Sequence, residues 1–244
     1  MLNEILLALI QAATEFLPIS SSGHLALVSN IISQPNLFFF TTLHLASLIA
    51  VLIFTRKEIK DLITFKQESK PLWIYIILAT IPAALVGYFF NDIIEKAFSS
   101  LLFISAAFFF TGIILLLTRL APNTKRKLTI KSSIIIGIFQ VLALFPGVSR
   151  SGMTISSGFF QGINREKAAK FSFLLFIPLA VGAFILESGK AYFNLSLVIS
   201  FIVCLLTSLL FLNLLLKIIV KNKFWLFGFY CFLISIVTLL IHFF

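Results

Sequence analysis

A helix needs about 20 consecutive apolar residues to cross a bilayer, and six stretches of this chain approach or exceed that length: 37–54, 71–90, 97–118, 171–187, 195–216 and 224–244. A soluble domain of this size could not enclose so much apolar surface in one core. Composition agrees. Sixty per cent of the 244 residues are hydrophobic, 30 are Phe, and 11% are charged, against about 45–50% and about 25% in soluble domains. The expected fold is all-α and polytopic, a single integral membrane domain over 1–244. Pro82 and Pro178 interrupt two of the stretches and are expected to kink them. The net charge of +10 would suit a nucleic-acid binder, yet the basic residues fall in short clusters between apolar runs, as loops at the ends of membrane spans do. Cys204 and Cys231 lie inside apolar runs with no His or carboxylate beside them, which argues against metal or disulfide roles. The apolar run 5–10 has no Lys or Arg before it and leads into polar residues, unlike a cleaved signal peptide.

Two further regions, 2–32 and 132–163, are apolar at both ends but broken centrally by Pro, Gly and Ser. Each half is about 12–15 residues, a length that suits a re-entrant segment better than a full span. Loop charges test the threading. If both regions are hairpins that return to their starting side, loops 55–70, 119–131, 164–170 and 217–223 share one side and hold sixteen Lys/Arg, against two in loops 91–96 and 188–194. If 132–163 instead crosses once, the split falls to eleven against seven. The positive-inside rule therefore favours the second hairpin and makes the basic side cytoplasmic. For the first hairpin the charges are silent, and the expectation rests on length and on its likeness to the second.

That likeness is an internal repeat. QAATEFLPISSSG, from Gln11 to Gly23, echoes FQVLALFPGVSRSG, from Phe139 to Gly152. Each hairpin is followed by three spans, an odd number, so the second copy enters from the opposite face. The expectation is six transmembrane helices plus two re-entrant hairpins in an inverted repeat, with units 1–118 and 132–244. In such folds a site forms where the broken helices meet near the midplane.

Polar side chains are costly in a membrane, so they mark the candidate site. An Arg at a span centre costs about 2.5–3.5 kcal/mol on insertion scales, and Arg150 at the second tip therefore needs an anion. A buried pair with Glu15 would serve. So would a phosphate, for which the planar guanidinium fork is well shaped. The surroundings favour phosphate. Ser149, Arg150, Ser151 and Gly152 follow Pro146–Gly147 and should open a helix whose free N–H groups and dipole attract anions, with Thr154 on the same face. Ser20, Ser21 and Ser22 lead into Gly23 and His24 in the matching way, although Ser before a helix also serves simply as an N-cap. Gln11 and Glu15 share one helical face, and Ser21 and His24 share another. Glu15 is suited to hold a divalent cation or accept a proton. His24 suits a general acid/base or a nucleophile, and Ser21 is an alternative nucleophile. No GxxxxGK[ST] sequence is present, which disfavours nucleotide hydrolysis.

These segments resemble a known family. PGVSRSGMT, Pro146–Thr154, matches the PGxSRSxxT motif of the undecaprenyl-pyrophosphate phosphatase family of the bacitracin-resistance type. QAATEFLPISSSGH, Gln11–His24, is similar to its other signature, (E/Q)xxxE followed by FLPxSSxGH. The resemblance runs on through Arg165–Ala169 and Phe171–Leu174 and covers nearly the whole chain in order. It implies hydrolysis of undecaprenyl pyrophosphate to the monophosphate and inorganic phosphate, which recycles the lipid carrier of cell-wall peptidoglycan synthesis. It implies Glu15, Ser21, His24, Arg150 and Thr154 at the active site, with Ser149 beside them; the catalytic expectation falls on Glu15, Ser21, His24 and Arg150, and Gln11, Ser20, Ser22 and Ser151 are read as further substrate contacts. It also implies Mg²⁺ or Ca²⁺ held through Glu15, a bacterial inner (plasma) membrane location, and a site opening to the outer face. Gln11 stands where many members carry a second Glu, and His44 where Gln is expected; His44 is read here as an interhelical hydrogen bond in preference to a site contact. Expected partners are the lipid pyrophosphate and membrane lipids, with a homodimer left open and nucleic acid excluded. The competing class is a polyprenyl-phosphate flippase or secondary transporter, in which Arg150 would carry an anionic head group across without breaking a bond.

Overall fold

The computed structural model describes residues 1–29, 37–64, 66, 70–186 and 193–243, and the described residues form helices and their connections. In chain order these are α1 (Leu2–Phe16), α2 (Ser21–Ser29), α3 (Leu37–Phe54), α4 (Arg56–Ile63), α5 (Lys70–Phe89), α6 (Asn91–Phe98), α7 (Leu101–Leu117), α8 (Ile130–Leu142), α9 (Arg150–Phe160), α10 (Arg165–Leu186), α11 (Leu195–Val220) and α12 (Phe227–Phe243). Single 3₁₀ turns at Thr118–Leu120 and Phe224–Leu226 extend α7 and α12. Among the described residues five segments are long and apolar enough to cross a membrane: Pro71–Phe89, Leu101–Leu120, Arg165–Ile185, Leu195–Val220 and Phe224–Phe243. A sixth is reached only by joining α3 to α4 across a 75° bend. The chain is thus an all-α, multi-pass membrane protein. Pro82 and Pro178 lie inside the continuous helices α5 and α10.

Two stretches read from the sequence as loops contain helices instead. In 55–70, α4 turns Ile59, Leu62 and Ile63 to one side and its charges to the other. It is tied down by a Trp73 Nε1–H donated to the Leu62 carbonyl at 3.2 Å and by Lys170, which pairs with Glu58 at 2.9 Å. In 91–96, α6 buries Ile94 and Ala97. Both have the pattern of helices lying along a membrane surface, where apolar spacing decides the structure and charge does not forbid it. The loop 188–194 falls largely outside the described residues.

Helix pairing fixes how the chain doubles back. Glu4 and Ser196 are hydrogen-bonded near the starts of α1 and α11. Cys204 reaches the Leu43 carbonyl, and Ser47 meets Ser208 at 3.3 Å, so α3 runs alongside α11 in the same direction. Along α8 and α5, Gly137 and Gln140 meet Ala79 while Leu144 lies near Gly87, again in the same direction. Lys170 pairs with Glu58 and Phe173 packs on Phe54, so α10 begins where α3 ends. α7 and α12 cross in opposite directions. Ser105 and Ser235 each donate a hydroxyl to the other's carbonyl at 2.8 Å. Two turns further on, Gly112 and Gly228 let the backbones touch: a Cβ on Gly228 would stand 2.8 Å from the Gly112 oxygen. Small residues and hydroxyls of this kind are how helices adhere where lipid supplies no hydrophobic drive.

Candidate active site

α1, α2, α8 and α9 hold 15, 9, 13 and 11 described residues, and the two breaks between them face each other. At the first, Leu17 turns extended after Phe16 and Ser20 takes the left-handed region, φ 66°. At the second, Gly147 has φ 91° and Ser149 caps α9, its Oγ accepting the Gly152 N–H at 3.1 Å. The breaks are in backbone contact. Ser20 Oγ accepts N–H groups from Gly23 of its own tip and Gly147 of the other, at 3.3 and 3.1 Å, and Ser151 donates to the Leu17 carbonyl at 3.3 Å. A Cβ on Gly23 would stand 2.9 Å from Gly147 Cα, so a larger residue there would force the tips apart.

Glu15 is the centre of the arrangement. One carboxylate oxygen accepts from Arg150 Nη2 at 2.9 Å; the other accepts from the Ser21 hydroxyl at 2.7 Å and from Gln11 Nε2 at 3.0 Å. His44 Nε2 stands 3.8 Å from that second oxygen. Arg150 also donates to the Ser172 carbonyl at 3.2 Å and lies over the Phe176 ring, 4.5 Å from its centre. Thr154 Oγ1 donates to the Arg150 carbonyl at 2.8 Å and meets Ser172 Oγ at 2.6 Å. The side chains of Glu15 and Arg150 are only 8% and 13% exposed, in a region of low dielectric where charge-assisted bonds are strong and unpaired charges costly.

Glu15, Ser20, Ser21, Ser22, Arg150 and His44 line one cavity of about 210 Å³, with Phe176 and the far half of α10 completing its wall. Of the residues singled out in the sequence, Gln11, Ser149, Ser151 and Thr154 are buried behind this surface and brace it. His24 is not brought to it. Its Nδ1 bonds the Ser20 carbonyl and its Nε2 the Tyr230 hydroxyl, both at 2.8 Å, and it lines a separate, apolar cavity of about 710 Å³ on the other side of the first hairpin. His44, read as an interhelical hydrogen bond, instead bonds a carbonyl of its own helix, that of Phe40, and turns its other nitrogen to Glu15. Its four-residue spacing from Phe40 permits that local bond, which leaves the other ring nitrogen facing Glu15 of α1. Sequence reasoning does not single out Ser172 and Tyr230; each is a polar residue in an apolar run, which is the one signal the sequence offers for them.

A divalent cation would be held here by the Glu15 carboxylate; Gln11 Oε1 is buried without a hydrogen-bond partner, behind the cavity surface. Among the described residues no three His, Cys, Asp or Glu side chains are grouped to hold a metal. This donor set fits the sparse protein share of Mg²⁺ coordination, one or two carboxylates completed by phosphates and water, and does not fit a dedicated cage.

The fold and these tips together define a class: a multi-pass helical membrane protein with an acid–base pair enclosed where two interrupted helices meet. The model of the family described as bacitracin resistance protein BacA matches residues 4–237. Undecaprenyl-diphosphatase of Thermosipho africanus is 45% identical, over 97% of this chain and 98% of its own length. The protein of the same name from Methanococcus vannielii is 42% identical, over 96% and 98%. The chain belongs to the bacitracin resistance protein BacA family.

Proposed function

We propose that this chain hydrolyses undecaprenyl pyrophosphate to undecaprenyl phosphate and inorganic phosphate in the plasma membrane of a bacterium, returning the carrier lipid to cell-wall synthesis. The names of its relatives support the substrate. The observation that carries the chemistry is the contact of Ser21 and Arg150 with the same buried carboxylate, Glu15, at 2.7 and 2.9 Å.

In the resting site Arg150 is neutralised by Glu15. An entering pyrophosphate competes for the guanidinium with two or more negative charges and a geometry that accepts its fork. Once Arg150 is drawn to phosphate, Glu15 loses its strongest counter-charge and becomes a better base toward the Ser21 hydroxyl. Ser21 Oγ attacks the terminal phosphorus, and its proton passes to Glu15. The anhydride P–O bond breaks, and undecaprenyl phosphate leaves with the bonding pair and carries away the proton from Glu15. Water then attacks the phosphoserine, giving a proton to the freed Glu15 carboxylate; the Ser21 Oγ–P bond breaks, Ser21 takes that proton back, and inorganic phosphate is released. Gly147 N–H is committed to Ser20, so the anion is met chiefly by Arg150 and by hydroxyls of Ser20, Ser21 and Ser22. Positioning and electrostatics of this kind supply most of the catalysis in phosphoryl transfer. Mg²⁺ or Ca²⁺, held through Glu15, would add charge neutralisation at the phosphates.

The helix directions support re-entrant hairpins in an inverted repeat of units 1–118 and 132–244. α1 starts beside α11, whose direction α3 shares; α8 starts beside α5, on the side where α3 ends and α10 begins. Each pair thus returns to the side it left, and the two enter from opposite faces. The cavity wall includes Leu179, Ala180 and Ala183 of α10, away from the basic start of that helix, which supports an opening on the outer face.

The test is inorganic phosphate release from undecaprenyl pyrophosphate by the detergent-purified protein, beside Arg150→Ala and Ser21→Ala, with and without EDTA. Release that both substitutions abolish is expected. Folded protein that releases none would overturn the proposal, and full activity in Ser21→Ala would pass the attack to water.

A further inference from the structure

We propose that Tyr230 of α12 is a positioning residue for the reaction, acting through His24 on the strained turn that presents Ser21. His24 is by this account a brace and does no proton transfer or attack itself. The inference rests on the phosphatase reading above for its kinetic arm, and on hydrogen-bond geometry alone for its spectroscopic one.

Ser20 holds a left-handed backbone, φ 66°, which a residue with a Cβ rarely adopts and which must be held by its surroundings. Its carbonyl is gripped twice by His24, through the backbone N–H at 3.2 Å and through ring Nδ1 at 2.8 Å. A carbonyl only accepts, so Nδ1 carries the hydrogen; in the neutral ring Nε2 must then accept, and the Tyr230 hydroxyl donates to it at 2.8 Å. The ring is also fixed by the Phe108 edge, 5.2 Å between centres, and lies nearly parallel to Tyr230 at 12°. Both its nitrogens are engaged, and it faces the large apolar cavity, away from Glu15 and Arg150.

The Ser20 carbonyl sets the tautomer, and Tyr230, donating to Nε2, fixes the ring's orientation from its far side, much as partners beyond the first contact orient histidines at other sites. Without that hydroxyl, Nε2 is left buried with no donor and the ring loses the contact that holds it in place. A ring free to turn grips the Ser20 carbonyl less firmly. Ser21 is the next residue, so a loosened Ser20 moves the hydroxyl off Glu15. The cavity around the pair offers little to replace Tyr230. Apart from Lys223, the remaining polar side chain in the lining is Thr14, and its hydroxyl is donated to the Ile10 carbonyl at 2.6 Å.

The experiment compares wild type, Tyr230→Phe, His24→Asn and His24→Ala by steady-state phosphate release across pH. ¹⁵N-histidine NMR of wild type and Tyr230→Phe reads the His24 tautomer. Tyr230→Phe is expected to lower kcat by about tenfold, the worth of one buried hydrogen bond, with KM within about twofold and the shape of the pH profile unchanged. The NMR should show Nδ1–H in wild type and, in Tyr230→Phe, an Nε2 resonance shifted to that of a lone pair with no donor. His24→Asn places an amide donor near Nδ1 and should retain at least about ten times the kcat of His24→Ala, since an amide can brace the carbonyl but cannot act as acid, base or nucleophile. A wild-type kcat in Tyr230→Phe, an Nε2–H tautomer in wild type, or His24→Asn no better than His24→Ala would each overturn the inference. Absence of phosphate release by wild type would sink the phosphatase reading instead, leaving the tautomer to decide the brace.

Discussion

Removing Arg150 tests the site through stability as well as through activity. Glu15 is 8% exposed and is bonded to the Arg150 guanidinium at 2.9 Å. In Arg150→Met the carboxylate would keep the Ser21 hydroxyl, the Gln11 amide and His44 Nε2 at 3.8 Å. Stranding one member of a buried ion pair costs about 3–5 kcal/mol. For a chain of 150–250 residues, each kcal/mol moves Tm by about 2–4 °C, so a fall of about 6–20 °C is expected. Glu15→Gln added to Arg150→Met removes the stranded charge. Replacing both partners of a buried pair is often neutral, so the double variant should regain more than half of the lost Tm while remaining inactive. Cys204 and Cys231 are free and buried, and a thiol-reactive fluorophore added during a thermal ramp in detergent reports when they become exposed. If Arg150→Met melts within about 2 °C of wild type, or the double variant melts no higher than the single, the pair is not the buried, mutually dependent one described here.

Thr154→Val keeps the shape but loses the hydroxyl that links the Arg150 carbonyl to Ser172; about 1–2 kcal/mol of stability and a several-fold drop in kcat are expected, read by Tm and phosphate release. Gly228→Ala drives a Cβ to 2.8 Å from both the Gly112 oxygen and Leu116; overpacking of about 1–3 kcal/mol should lower Tm measurably, and an unchanged Tm would contradict the close crossing of α7 and α12. Lys170→Met is the contrasting case. That side chain is 31% exposed in its pairs with Glu58 and Glu166, and its loss should cost no more than about 1 kcal/mol, so a drop larger than that of Gly228→Ala would reverse the ranking argued here.

Much of this was legible in the sequence because a membrane makes polarity informative. Glu15, Ser20, Ser21, Ser22 and Arg150 stood out as polar residues in apolar surroundings, and the structure gathers them around one cavity. The spacing of Gln11 from Glu15 correctly placed both on one face, where they bond. The direction of His24 was not legible. A three-residue offset from Ser21 suggests a shared face, but the two side chains diverge because Ser20 turns left-handed at the head of the helix and offers His24 its carbonyl. Tyr230 lies 206 residues from His24, and no local pattern signals a partner at that range. The helices α4 and α6 were hidden for a different reason: counting charges in a loop ignores the apolar spacing between them.

The pairing of α1 with α11 also orders events in time. The helix that carries Glu15 is made well before its partners: the residue that fastens its start, Ser196, is 192 positions later. At a synthesis rate of about 5–20 residues/s, roughly 10–40 s separate the two. Arg150 arrives within that interval, so a nascent chain holds an unpaired acid before its base exists, and a hairpin before the helix it will lean on. A carboxylate so placed takes up a proton or stays near the water interface until its partner comes. The proposed reactive pair therefore cannot form until Arg150 is made, and a chain cut short before that residue lacks it.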